Sequence, residues 1–355
     1  MSNSKIRRSL VAVVAGIAAV SLAACAGPAP APTSGGAGGA TSGGPAPSGD
    51  LSITFIPKQL NNPYTDVVLG GGKTGATAAG FASAEVVGPL DASASSQVSF
   101  INAETQAGTN VIVIAANDPD AVCGALKEAR TGGAKIVAFD SDANPDCRDV
   151  FVSQVVAKDV ALIQVKLISD QIGGSGEIAI LSATANATNQ NEWIKYMKEE
   201  LAANPAYKDI NLVATVYGDD DDTKSFQEAQ GLMQAHPNLK GIISPTTVGI
   251  AATARYLSTS EYKGKVHLTG LGLPNEMRAF VKDGTVTEFA LWDPAQLGYV
   301  AAFAGKALVD GTITGKAGDK FAAGDLGDRE VGEGGLIIVG PPTVFNAANI
   351  DNYNF

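Results

Sequence analysis

The chain has 355 residues, 45% of them hydrophobic, and a formal net charge of −11. That acidic balance argues against nucleic acid as a partner, because a phosphate backbone is met by basic surface. About 300 residues remain beyond residue 50, more than one typical domain, so two folded halves are expected.

At the start, Lys5, Arg7 and Arg8 precede an apolar run, Leu10–Leu22, followed by small residues. This is the pattern of an export signal, too short for a stable spanning helix of about 20 residues. Leu22-Ala23-Ala24-Cys25 resembles the bacterial lipobox, whose cysteine carries the lipid. Residues 1–25 therefore read as a lipoprotein signal peptide with Cys25 as the lipidation site; an ordinary signal peptide is the alternative. Residues 26–50 read as a disordered tether, since Ala26–Gly49 holds only Gly, Ala, Pro, Ser and Thr and cannot bury a core. Such a tether spans roughly 25–30 Å. The location implied is the outer, extracytoplasmic side of the cell membrane, held by the lipid.

The body opens with Leu51–Ile56, an apolar run that reads as a buried strand. Asn61-Asn62-Pro63-Tyr64 then turns the chain, and a helical pattern opens at Thr65. Ala84–Gly88, Val111–Ala115 and Lys135–Phe139 read as further strands, with helical patterns such as Ala92–Gln106 and Pro119–Gly132 between them. A second series has strands near Glu177–Leu181, Ile210–Tyr217, Gly241–Ser244 and Val266–Gly270. Its helices lie near Gln190–Leu201, Asp222–His236, Gly249–Ser258 and Asn275–Lys282. A strand, Glu288–Leu291, and a helix, Ala295–Val309, follow. A Gly/Lys/Asp-rich stretch, Gly311–Gly334, then leads to a last apolar strand, Leu336–Val339. Repeated strand–helix units predict an α/β fold with two doubly wound, mostly parallel sheets.

Beyond Cys25 the remaining cysteines are Cys123 and Cys147. In an exported body they read as a disulfide; two buried thiols are the alternative. Gly72-Lys73-Thr74 lacks the preceding glycine of a phosphate-binding loop, since Val67 stands there. Asp219–Asp222 lacks the glycine and final glutamate of a calcium loop and reads as a solvated turn, with Asp222 capping the next helix. His236 and His267 form no zinc pattern, and no Gly-x-Ser-x-Gly elbow occurs. Paired carboxylates for glycoside hydrolysis stay open as an alternative, though nothing points to them; no catalytic residue, metal or cofactor is expected, and the chain is read as a binding protein rather than an enzyme.

In open α/β sheets ligands lie beyond the carboxyl ends of the strands. Those ends carry Lys58, Asn62, Tyr64, Asn117, Asp118, Asp140, Ser141 and Asp142 in the first series. The second series offers Thr188, Asn189, Gln190 and Asn191, then Pro245, Thr246 and Thr247, then Trp292 and Asp293. Such groups suit a neutral, hydroxyl-rich ligand. Some have plainer uses: Asn62 as a helix cap, Asp142 capping a turn or pairing with a cation, Trp292 as core.

At these residues the chain resembles exported substrate-binding proteins of ABC sugar importers, of the ribose-binding type. Ile178–Trp193, Pro245–Arg255, Leu268–Met277 and the C-terminal Gly340–Phe355 carry a likeness to L-rhamnose-binding proteins in particular. Receptors for autoinducer-2 are similar too, sharing the Phe55–Lys58 and Phe139–Asp142 stretches and the Cys123 and Cys147 positions. Their ligand contacts match Lys58, Asp140, Asn189, Gln190, Pro245 and Thr247, but they carry aspartate at Asn189 and alanine at Thr247. The ribose-binding type adds Asn62, Tyr64 and Asp293. The resemblance implies a type I periplasmic binding protein, with three crossover hinge segments near Gln154, Trp292 and Gly335. Its first lobe would be 51–154 plus 293–334, its second 155–292 plus 335–355. It further implies a monomer that closes on L-rhamnose or a similar neutral sugar and delivers it to membrane permease subunits.

Overall fold

The computed structural model describes residues 50–355. The expected signal peptide, the tether up to residue 49 and Cys25 lie outside the described residues.

The first half runs β1 (Ser52–Ile56), α1 (Pro63–Ala79), β2 (Ser83–Val86), α2 (Ala94–Ala107), β3 (Val111–Ile114), α3 (Cys123–Thr131), β4 (Lys135–Phe139) and β5 (Val150–Ser153). The second runs α4 (Ala157–Ile172), β6 (Gly176–Ser182), α5 (Thr188–Ala203), β7 (Ile210–Tyr217), α6 (Asp222–Ala235) and β8 (Leu239–Ser244). It continues through α7 (Thr247–Thr259), β9 (His267–Gly270), α8 (Pro274–Lys282) and β10 (Glu288–Leu291). The chain closes with α9 (Pro294–Val309), β11 (Lys320–Ala322), β12 (Asp328–Glu330), β13 (Leu336–Ile338) and β14 (Thr343–Asn346).

One sheet has the order β13-β5-β4-β3-β1-β2 and another β7-β6-β8-β9, all pairs parallel. β10 meets the second sheet through a Leu271–Ala290 bridge and pairs antiparallel with β14. Strands covered by helices on both faces read as continuous apolar runs, and every residue of β3, Val-Ile-Val-Ile, is buried. The expected α/β architecture of two doubly wound lobes therefore holds.

The last crossing was expected near Gly335, with everything after it in the second lobe. Instead Leu336 pairs with Phe151 and Ile338 with Ser153, so β13 completes the first sheet and the chain crosses only after Ile338. The apolar run marks a strand but not its partner, and β5, Val-Phe-Val-Ser, went unread in the sequence. α4, which follows the first crossing and packs in the second lobe's core, also went unread in the sequence.

α1 opens at Pro63, two residues before the expected start, because the Asn62 side chain accepts from the Tyr64 and Thr65 N–H groups at 3.0 and 3.2 Å. Lys73 lies inside α1, away from any strand-to-helix loop. The glycines around it serve packing. A Cβ on Gly71 would stand 1.9 Å from the Ala295 carbonyl oxygen, and one on Gly298 2.0 Å from that of Val68, so α1 and α9 meet backbone to backbone. Cys123, at the start of α3, is joined to Cys147 with Cα atoms 5.4 Å apart, which ties the β4–β5 connection to that helix.

Candidate ligand-binding site

The carboxyl ends of both sheets face one cavity with an empty volume of ≈ 630 Å³, part of it open to solvent. From the first lobe come Lys58 just past β1, Asn62 and Tyr64 at the start of α1, and Asp140 at the end of β4. From the second come Asn189 and Gln190 on the first turn of α5, and Pro245, Thr246 and Thr247 at the β8–α7 turn. Trp292 lines it beside the crossing after β10.

Asp140 is the centre of a hydrogen-bond chain. Trp292 Nε1 donates to Tyr64 Oη at 3.1 Å, and Tyr64 Oη donates to Asp140 Oδ1 at 2.9 Å. Gln154 Nε2, on the first crossing, donates to the same Oδ1 at 3.3 Å. The Lys58 ammonium stands 3.8 Å from Asp140 Oδ2. Burial pushes the Asp140 carboxyl above the ordinary carboxylate range, and Lys58 offsets this in part. Burial, followed by the Asp140 charge, also raises the Tyr64 phenol, so Tyr64 stays a donor. Oδ2 retains acceptor capacity toward the cavity.

Asn189 is engaged across the cleft. Its Oδ1 accepts from Lys58 Nζ at 3.3 Å and its Nδ2 donates to the Asp140 main-chain carbonyl at 3.3 Å. The Gln190 Oε1 accepts from Ser182 Oγ at 2.6 Å and Ala183 N–H at 2.8 Å, which orients the amide so that its NH₂ group is left for a ligand. Tyr64 meets Trp292 edge-on at 6.1 Å, and Trp292 meets Trp193 at 5.9 Å. Trp292 thus belongs to the second lobe's core and also walls the cavity. The result is a mainly apolar chamber into which rings, donors and acceptors from both lobes project.

Not every expected residue is there. Asp293 does not line the cavity: its carboxylate turns to α9 and accepts from the Ala295 N–H at 3.0 Å, because Trp292, one residue earlier, takes the cavity-facing position. Asp142 pairs with Arg148 through two contacts of 2.5 and 2.8 Å, the plainer role expected of it, and stands off the cavity. In the aspartate run, Asp221 rather than Asp222 caps α6, accepting from the Lys224 N–H at 2.7 Å. Among the lining residues that the sequence reading did not assign to the site are Gln59, Trp193, Leu271 and Asp220. Asp220 follows the end of β7 as Asp140 follows β4, a signal hidden by its three aspartate neighbours. Among the described residues, the non-glycines with positive φ are Asn61, Asp140, Asp219 and Asp220, and all four line the cavity or the groove outside it. Backbone held in this region gathers at functional sites.

That outer groove includes Glu276 with Asp91, Asp219 and Asp222. Burial, then the Asp222 charge, pushes the Glu276 carboxyl from 4.5 to about 6. A folded pKa above the unfolded one means the folded state holds the proton more tightly. The carboxylate therefore costs stability above about pH 6 and nothing below the unfolded value. Glu276→Gln is expected to raise stability by about 1 kcal/mol near neutral pH, after allowance for solvent screening, and to change nothing in acid near pH 4. Urea unfolding at both pH values checks this; an equal gain at both would contradict it.

A family model described as "Periplasmic binding protein domain" matches residues 53–313. The chain belongs to the periplasmic binding protein family. Its relatives are import binding and solute-binding proteins, and the chain is a binding protein and not an enzyme. It is similar to a sugar ABC transporter from Actinomyces odontolyticus, with 70% identity, 86% of this chain and 98% of that one covered, and a TM-score of 0.71. It is also similar to an ABC transporter solute-binding protein from Clostridium phytofermentas with bound L-rhamnose, at 37% identity, the same coverage and a TM-score of 0.82. LsrB from Clostridium saccharobutylicum, in complex with AI-2, is 26% identical over 86% of this chain and 100% of that one, with a TM-score of 0.80. No helix of the described residues is long and apolar enough to cross a membrane.

Proposed function

We propose that this chain is the substrate-binding protein of an ABC importer, lipid-anchored through Cys25 on the extracytoplasmic side. It takes L-rhamnose or a similar deoxysugar in the interlobe cavity as a monomer and delivers it to membrane permease subunits. The observation that carries the reading is Asp140: a buried carboxylate flanked by an ammonium, a phenol and an amide, facing aromatic walls. A carboxylate accepts from adjacent hydroxyls, while Lys58 and Gln190 donate to ring and hydroxyl oxygens. A methyl group in place of a hydroxymethyl suits the apolar side formed by Trp193, Leu271 and Trp292. The relative holding L-rhamnose supports the choice of sugar. Contacts such as Lys58 to Asn189 and Gln59 Nε2 to the Asp220 carbonyl, 3.1 Å, join the lobes directly and define the closed arrangement that a ligand would favour.

The second reading is a receptor for AI-2 or a small polyol, supported by the likeness to LsrB. The Asn189 amide disfavours it. An aspartate there would have no N–H to give the Asp140 carbonyl and would place a second negative charge beside Asp140. A thermal-shift screen separates the two, using L-rhamnose, fucose, ribose, pentitols, tetritols and AI-2. Saturation at about 1,000 times Kd stabilises by about 4 kcal/mol, so the cognate ligand stands out. The expected result is the largest rise with L-rhamnose; a rise with AI-2 alone would replace the first reading by the second.

A further inference from the structure

We propose that Asp220 is a second ligand-binding carboxylate, supplied by the lobe opposite Asp140, and that the pair restricts the cavity to uncharged, hydroxyl-rich ligands. The inference rests on the sugar-binding reading and deepens it.

Four aspartates follow β7 in succession, and three have local roles. Asp219 pairs with Lys224, Asp221 caps α6, and Asp222 pairs with Arg255 at 2.7 Å. Asp220 has no cation of its own on its segment. It lines the cavity, its carboxylate accepts from the Thr246 hydroxyl, and its main-chain carbonyl accepts from Gln59 of the first lobe. Its backbone lies in the left-handed region, φ 52°, as does that of Asp140, φ 60°. Each lobe therefore presents one aspartate, held in the same uncommon conformation just past a strand end, to the same chamber.

Lys58 is the cation that acts on both carboxylates, since its charge opposes the upward push that burial gives each of them. Two carboxylates with one ammonium leave an excess negative charge in a cavity that is only part open to solvent. A ligand carboxylate or phosphate would meet repulsion there. Hydroxyl hydrogens would meet acceptors from two directions, with Lys58 and the Gln190 NH₂ as donors between them. Because the two aspartates belong to different lobes, a ligand bonded to both is bonded to both only when the lobes are together, which is the differential contact that closure needs.

The test is Asp220→Asn. Asparagine is among the residues that accept left-handed backbone, its amide oxygen still accepts from Thr246, and the bond from Gln59 to the main-chain carbonyl is untouched. Calorimetry with L-rhamnose, and with D-ribose, D-arabinose and D-fucose if it is silent, is run on wild type and variant. The expected result is a loss of affinity of about ten-fold or more, with the melting temperature in the absence of sugar unchanged, which a merely structural residue would not give. A second measurement needs no variant: wild type should show no melting shift with millimolar D-galacturonate or D-glucuronate. Variant affinity within about two-fold of wild type, or wild-type binding of a uronate, would overturn this inference and leave the sugar reading standing. A wild type silent to every sugar would overturn the sugar reading, and this inference with it.

Discussion

Asp140→Asn is expected to weaken sugar binding by about 2 kcal/mol or more, roughly 30-fold, the scale of a lost charge-assisted hydrogen bond. Asparagine is the better test than alanine, because position 140 has φ 60° and asparagine tolerates that backbone where alanine is strained. The amide oxygen can still accept from Tyr64 and Gln154, so the first lobe keeps its hydrogen-bond chain. Stability without sugar should change little. The buried carboxylate is costly to ionise, as its raised pKa shows, and removing the charge offsets the loss of its partner Lys58. The same raised pKa fixes a pH dependence. Sugar affinity should fall as pH drops through the folded pKa of Asp140, at a pH above the ~3.9 at which an ordinary aspartate titrates. Calorimetry on wild type and variant, with a wild-type series from neutral to acid, checks all three statements. Unaltered affinity in Asp140→Asn would remove this residue from the site.

Gly71→Val is expected to cost about 3 kcal/mol or more of folding stability, while Gly70→Ala, one residue earlier, should be neutral or stabilise by up to about 1 kcal/mol. A Cβ at Gly71 meets the carbonyl oxygen, carbonyl carbon and Cα of Ala295 at 1.9, 2.6 and 2.6 Å, all backbone atoms of α9 that can yield only if the helix shifts. A Cβ at Gly70 meets nothing within 4 Å, and the residue is exposed on the same helix. The contact matters beyond stability. α1 carries Tyr64 and α9 begins two residues after Trp292, so prying them apart also loosens the Trp292–Tyr64–Asp140 chain. Urea midpoints of the two variants test the pair; similar losses in both would show that helix propensity, and not this close approach, governs the segment.

The fold was legible because strands of continuous apolar residues alternate with helices over most of the chain, and that pattern has few other solutions. The site was legible by a second rule, that ligands lie beyond strand ends. It led to Lys58, Asp140 and the turn before α7. What failed has physical reasons. The partner of β13 could not be read, since an apolar run reveals a strand and not its neighbour. Asp293 and Trp292 stand side by side at a crossing, and which one faces the cavity depends on how α9 is capped. Asp220 was masked by neighbours of the same type, whose roles are set by Lys224, Arg255 and the α6 N-terminus. Asn189 lines the cavity as expected, and its amide also joins Lys58 to the Asp140 carbonyl, a link that only the meeting of two lobes creates.

The central claim is that two lobes close on one neutral sugar held by Asp140 and change nothing in it. Titration calorimetry of the wild-type protein with L-rhamnose at neutral pH tests it most directly, with the sugar recovered afterwards and analysed. The account predicts binding at one site per chain, recovery of unmodified sugar, and a strongly reduced signal in Asp140→Asn. Absence of heat with L-rhamnose and with every related sugar and polyol, or recovery of a chemically altered sugar, would contradict it.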